Sequence, residues 1–482
     1  VYKRQRFSNM NMIFHKIARG AWLLAFAAAG FCGSAATLEE ARVLAEDGNL
    51  EEAIAMLREL EEATPKDASV SLQLGAYYQA TGRDADAMDA YTSARRKGSR
   101  EAILALAELA NQQYRVDDAR TLVEEYRKTL KKGKRTLAPD ESGDIDDRID
   151  RTENMLSRVE QIEVIDSLVV DADSFFEHYR LTPESGSINS PEVLPQGFEA
   201  AEPTVVYEPE SRRQMIWAAP DTAGNYRLMS SSALYGGSWE QPSPLGDMLA
   251  EGGDANYPFL MPDGITLYYA NDGENSLGGL DIFISRRSDE EFLQPQNLGM
   301  PYNSPYDDYM LAIDELTGVG WWATDRNRIP GKVTIYLFVP QELRRNVDPD
   351  SPDLLTRARL SSIRDTWREG TDREGLLRQV AAIRPSGTPA PEKLFELYVP
   401  GRGIYTNYDD FRSRAAREAM HDCLEGEGKL ASAEALLAKA REAYGRGDRS
   451  QADFINRVEA QLDGARNEVT ELRNRVIELE LQ

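Results

Sequence analysis

Residues 257–286 read YPFLMPDGITLYYANDGENSLGGLDIFISR. Several carboxylates, a Gly pair and a Pro-Asp-Gly turn are the ingredients of a catalytic loop, a cation-binding loop or one unit of a repeat. Laying the stretch over its flanks favours the repeat. Trp217-Ala218 in MIWAAPD, Tyr269-Ala270 in LYYAND and Trp322-Ala323 in GWWATD stand 52 and 53 residues apart, and Leu245-Gly246 returns 53 residues on as Leu298-Gly299. Turns precede the aromatic strands at Pro209-Glu210, Pro262-Asp263-Gly264 and Asp314-Glu315. Proline presets φ for the first corner of a turn while Asp and Gly accept its second half, so Pro-Asp-Gly closes a hairpin. Each unit then reads as strand, turn, aromatic strand, loop and strand, which is a repeated antiparallel sheet.

Short strands at a period near 50 are the pattern of propeller blades. The segment LMPDGITLYYANDGENSLGGLDIFISR resembles the TolB-type (WD40-like) β-propeller repeat. The first copy lacks the turn Gly and the third carries DELTGVG instead. The resemblance implies a propeller over about 161–410, with four to six blades expected. EVIDSLVVD near 166 and KLFELYVPGRGIYTNYDDF near 402 would supply strands at its two ends, around a helical insertion near 350–390. In this reading Asp272, Glu274 and Asp281 are turn and blade residues. Asp272, Asn275 and Asp281 are also an oxygen-rich set of the kind a calcium ion accepts, but EF-hand spacing is missing, and no metal site is assigned.

Upstream the periodicity is helical. LAEDGNLEEAIAML around Gly48 and Ala53 is echoed by YYQATGRDADAMDAY around Gly82 and Ala87, 34 residues later at both landmarks. A third copy, ANQQYRVDDARTLV, places Ala119 32 residues after Ala87, with Tyr114 where Gly stood. The pattern over 37–130 resembles the tetratricopeptide repeat (TPR), in which small residues let antiparallel helices pack closely. Such an α-solenoid presents a groove for another protein, or packs on its own neighbour. Residues 131–160 read as a charged linker followed by a helix.

The tail, 411–482, is helical. Ile455, Val458, Leu462, Ala465, Val469, Leu472, Val476 and Leu479 alternate by three and four, a coiled-coil seam that needs a partner helix. That partner is either the preceding helix, folded back as a hairpin, or a second subunit.

Residues 1–36 read as an export signal peptide. Lys16 and Arg19 precede the apolar run 21–29, and Ser34-Ala35-Ala36 is a small-x-small cleavage pattern. Cys32 stands where a lipidated cysteine would, yet Phe31 occupies a position that such processing wants small. Without the five basic residues of 1–36, 51 Lys or Arg face 81 Asp or Glu, a net charge near −30. Nucleic acid is excluded as a partner for that surface, and no later stretch is apolar enough to span a membrane. Cys423 alone cannot form an internal disulfide.

No catalytic residue emerges. His178 and His421 are far apart, Asp307-Asp308 is an acidic pair of the kind 81 carboxylates produce by chance, and the motifs of serine hydrolases, zinc peptidases and phosphate loops are missing. The order of modules resembles envelope proteins of Bacteroidota that join the two repeats to an OmpA-like cell-wall domain, which this chain lacks. The fold class expected is multidomain α plus β: an N-terminal solenoid, a central propeller and a C-terminal coiled coil. The resemblance implies a non-enzymatic periplasmic scaffold or adaptor that needs no cofactor. Its partners would be other envelope proteins, with self-association through the tail as an option. A peptide- or glycan-binding sensor using the propeller channel is the alternative.

Overall fold

The computed structural model describes residues 37–481 apart from 133–134, 137–139, 235–237, 251, 289–290, 342, 384–394, 396, 401 and 447–448. The signal segment and Cys32 lie outside the described residues. The chain divides into two units, residues 1–387 and 388–482. No helix among the described residues is long and apolar enough to cross a membrane.

The first unit opens with paired helices: α1 (Leu38–Glu46) with α2 (Leu50–Ala63), α3 (Ala68–Ala80) with α4 (Asp84–Arg96), and α5 (Glu101–Gln112) with α6 (Val116–Thr129). Thr37 starts α1 with a capping box closed by Glu40. Gly48, Gly82 and Tyr114 end the first helix of each pair at φ 87°, 79° and 56°. Glycine adopts that left-handed backbone without strain; for tyrosine it costs about 1 kcal/mol. Ala53, Ala87 and Ala119, the small residues of the repeat, are all fully buried where helices touch. After the short ladder of β1 (Lys131–Lys132) with β2 (Arg135–Thr136), α7 (Gly143–Leu156) seals the array. Its Ile145 and Ile149 pack on Ala107, Ala110, Ala119 and Val123.

Three antiparallel sheets follow. The first runs β4 (Ser187–Asn189), β5 (Val206–Glu208), β6 (Gln214–Pro220), β7 (Tyr226–Ser232) and β8 (Ser243–Pro244). The second runs from β9 (Ala255–Leu260) through β10 (Thr266–Asn271) to β11 (Asp281–Ser288), which pairs with β12 (Glu291–Phe292) and β13 (Gln296–Asn297). The third runs β14 (Asp308–Asp314), β15 (Val319–Thr324), β16 (Lys332–Val339) and then β3 (Glu163–Asp171), which reaches its partner from the other end of the domain.

Among the described residues each sheet is open and none joins another by a strand ladder. The repeat units 52 to 53 residues apart are therefore three sheets among the described residues, where four to six blades were expected. EVIDSLVVD does add a strand, as β3. The stretch near 402 does not, because β17 (Leu397–Val399) pairs only with β18 (Gly403–Tyr405), in the second unit.

Alternation along the strands explains how the sheets stack. Trp322, Tyr336 and Phe338 face Ile282 and Tyr268 of the second sheet, while Trp321, Ile335 and Leu337 point the other way. On that second face Tyr179 lies against Trp321 at 5.7 Å and Phe175, in the short helical turn Phe175–His178, against Tyr309 at 5.2 Å; α8 (Leu354–Arg359) and α9 (Arg373–Ala381) follow, and Leu376, Leu377 and Val380 of α9 join the same core. Where the inner strands converge, rings fill the space: Tyr257 stacks on Tyr309 at 4.6 Å and Phe175 meets both edge-on at 5.8 and 5.2 Å. The Tyr179 hydroxyl donates to the Met310 carbonyl at 2.7 Å.

In the second unit α10 (Arg414–Gly445) and α11 (Ala452–Leu481) fold into an antiparallel hairpin. Arg441–Glu459, Arg466–Glu434 and Arg473–Glu427 pair across it at 2.6–2.7 Å. Between the two partners the sequence left open for the seam, the chain supplies its own. Glu480, 2% exposed, locks the base, accepting from Arg402 at 2.6 Å and from Tyr405 hydroxyl and the Arg412 and Ser413 amides at 3.0 Å.

Candidate functional site: the junction of array and sheets

The helical turns at Gly82 and Tyr114 touch the sheet layer. Arg328, in the loop after β15, reaches Asp84 at 2.6 Å and the Gln79 carbonyl at 3.1 Å, with its guanidinium over the Tyr306 ring at 5.1 Å. Burial pulls the Arg328 pKa down, but the bond to Asp84 outweighs it and the net shift is upward. Arg359, ending α8, donates to the Gln113 carbonyl and lies over the Tyr114 ring at 5.5 Å. Beneath them Tyr114 of the α5–α6 turn, Met155 and Leu156 of α7, Val159 just after it, Leu277 and Met300 of two sheet loops, Val347 before α8 and Ala358 in α8 form one apolar cluster. Each large aliphatic side chain buried there contributes roughly 1.5–3 kcal/mol. The array is thus fixed to the sheets by a core.

The arginine that organises the sheet side of this junction is buried. Arg326, 5% exposed in its side chain, meets fully buried Asp308 at 2.6 Å and donates to the Pro301 and Tyr302 carbonyls at 3.0 and 2.6 Å. Asp308 in turn accepts from the Ser304 amide and hydroxyl at 2.6 and 2.7 Å. Burial lowers the Arg326 pKa, and the Asp308 charge more than restores it. A buried ion pair with its remaining donors and acceptors satisfied fixes geometry more than it adds stability.

The carboxylates of the opening stretch serve the repeat. Asp272 accepts from the Asp254 amide at 2.7 Å, and Asp254 from the Tyr226 amide at 2.8 Å, a relay from the second sheet to the first. Fifty-three residues on, Asp325 accepts from the Asp307 amide and Asp307 from the Leu280 amide, both at 2.9 Å, joining the third sheet to the second. Asp281 is fully buried and accepts from the Leu277 amide at 2.9 Å and Asn297 at 2.6 Å; burial raises its pKa well above the ordinary range. Burial also raises Asp272. Asn275 is exposed, and its carbonyl accepts from Asn297 at 3.0 Å. Asn297 thus bridges Asn275 and Asp281 while Asp272 serves the Asp254 amide, and among the described residues no three His, Cys, Asp or Glu side chains gather as ligands.

The structure places His178 exposed in the first unit and His421 exposed in the second, stacked on Tyr408 at 5.2 Å. Cys423 is buried within the helical hairpin, which pushes its thiol up to about 11. Asp307 and Asp308 point to different tasks, the relay and the Arg326 pair. Reading by period missed the junction residues, although one signal was present. After the equivalent Asp221, Asp272 and Asp325 come Thr-Ala-Gly, Gly-Glu-Asn and then Arg326-Asn327-Arg328, so arginines enter only in the unit that meets the array.

Comparison of the chain with protein-family models, with curated proteins and with solved structures finds no match.

Proposed function

We propose that this protein is a non-enzymatic adaptor of the cell envelope, built from a tetratricopeptide-type array and a TolB-type repeat of three blades and exported to the periplasm by residues 1–36. The observation that carries the reading is the junction: a helical array of the kind that commonly grips other proteins is held by a shared core and by Arg328–Asp84 on a second, sheet-built surface. Two surfaces held in one orientation suit a part that sets the distance between partners. The 34-residue landmarks Gly48 and Gly82, both in the left-handed backbone, support the array assignment, and the repeated aspartate relay supports the blade assignment. The intramolecular hairpin of α10 and α11 removes the need for a second subunit at the tail.

The alternative, a sensor holding a ligand along the axis of the sheets, is less favoured because Phe175, Tyr257 and Tyr309 pack their rings there. Cross-linking in intact cells, followed by identification of what co-purifies with the wild type and with Arg328→Glu, tests the adaptor reading. One dominant envelope partner, reduced when the junction is broken, supports it. Recovery of the protein alone sinks it.

A further inference from the structure

The outer edges of the three sheets are not alike. The first ends in β8, two residues long and including Pro244, and the second in the two-residue strands β12 and β13. Short edges and edge prolines are the usual protection against unwanted strand pairing. The third sheet ends in β3, nine residues long, with β16 on one side and, among the described residues, no strand on the other.

Half of that edge is closed by side chains. Thr366 Oγ1 accepts from the Val164 amide and Trp367 Nε1 donates to the Val164 carbonyl, both at 2.9 Å. Buried Glu163 ties down the same segment, accepting from Thr371 and Arg373 at 2.7 Å. The other half is different. The Ala172 amide bonds to the Gly331 carbonyl across the ladder in which Asp171 faces Lys332. Antiparallel bonding alternates, so Leu168 and Val170 spend their backbone groups on β16, while those of Ser167, Val169 and Asp171 point outward. Ser167 turns its amide to Asp166 at 2.8 Å. Val169 is 54% exposed, an apolar side chain standing on an open edge.

We propose that Ser167–Asp171 is a docking edge for an extended, Lys- or Arg-bearing segment of a partner protein, which adds as a further strand to the third sheet. Main-chain bonds to Val169 and its neighbours would provide affinity, as in other strand-addition complexes. Charge selects the occupant: Asp166 and Asp171 stand in β3 and exposed Asp173 follows its end, with Lys332 paired to Asp171 at 2.7 Å. A second copy would bring the same aspartates against these, and like charges facing across strands are unfavourable. The inference deepens the adaptor reading, on which it rests for the expectation of a protein partner.

The test uses the full chain and two end-blocked hexapeptides, one alternating valine with lysine and one valine with glutamate, read by amide hydrogen exchange. The lysine peptide is expected to slow exchange at residues 167–171, and the glutamate peptide to leave it unchanged. Val169→Pro removes the outward donor and should abolish the protection; should that variant unfold, Val169→Lys, which sets a like charge on the edge, is expected to weaken binding by up to about fivefold. Absence of protection, equal protection by both peptides, or protection that grows with protein concentration without peptide would each overturn the proposal. The last of these would assign the edge to a second copy. Loss of this result while an envelope partner is still captured in cells would leave the adaptor reading standing with another contact surface.

Discussion

Arg328 and Asp84, 244 positions apart in the chain, meet at 2.6 Å and join a loop of the third sheet to the turn of the second helical pair. Their side chains are 18% and 25% exposed, so water screens the pair only in part. Arg328→Ala leaves Asp84 with its charge half-buried and should cost about 1–3 kcal/mol. Chemical unfolding followed by array and sheet probes separately should show one shared transition in the wild type and earlier loss of the array in the variant. Coincident curves in both would mean that the apolar cluster alone couples the two layers.

Asp272 separates acceptor from charge. Asp272→Asn keeps an oxygen for the Asp254 amide and removes a carboxylate whose pKa burial has raised. A raised carboxylate favours folding below its unfolded value and loses that contribution as pH rises through the folded one. Asp272→Asn is therefore expected to be neutral or stabilising at pH 7 and to show less loss of stability between pH 4 and 7 than the wild type. Asp272→Ala, which also orphans the amide, should be less stable than Asp272→Asn by about 1–3 kcal/mol at any pH. Urea melts across this pH range check both.

Gly75 lies against a ring. A Cβ at this position would sit 2.4 Å from the Tyr91 ring, and Tyr91 is itself 2% exposed, with its hydroxyl bonded to Gln79 at 2.8 Å. Gly75→Ala gains helix propensity and loses more by overpacking, for a net cost of about 1–3 kcal/mol. Far-UV circular dichroism on heating should show the array melting earlier. The double variant with Tyr91→Phe should not recover it, since the ring remains.

Glu480 governs the second unit. Burial works against its charge, but the Arg412 and Ser413 amides, Tyr405 and Arg402 outweigh it and hold the carboxyl below its ordinary range. A depressed carboxylate contributes stability above its unfolded pKa, near 4.3, and loses it as pH falls through the lower folded value. Glu480→Gln should destabilise the helical hairpin by about 1.5–3 kcal/mol at pH 7, with the difference from wild type vanishing in strong acid. Hydrogen exchange along residues 414–445 and 452–481 would show it.

The sequence by itself determined the local grammar of this protein. The 34-residue recurrence of Gly48 with Ala53 and Gly82 with Ala87 places helical turns and contacts, because a left-handed turn needs glycine and a close helix crossing needs a small side chain. The period of 52 to 53 around Trp217, Tyr269 and Trp322 marks equivalent strands, because one packing environment is built three times. The seam from Ile455 to Leu479 declares a coiled coil. These are short-range signals, and each survives in the order of residues.

Tertiary structure alone decided what each element packs against. β3 finds β16 across about 160 positions, and the hairpin of α10 and α11 supplies the partner that the seam required. Rings from Phe175, Tyr257 and Tyr309 occupy the place where the inner strands meet. Arg328 and Asp84 are ordinary surface types in the sequence, and their pairing carries no period. Burial, and with it the fate of a charge or an open strand edge, depends on which distant segments arrive, and that is a property of the assembled fold.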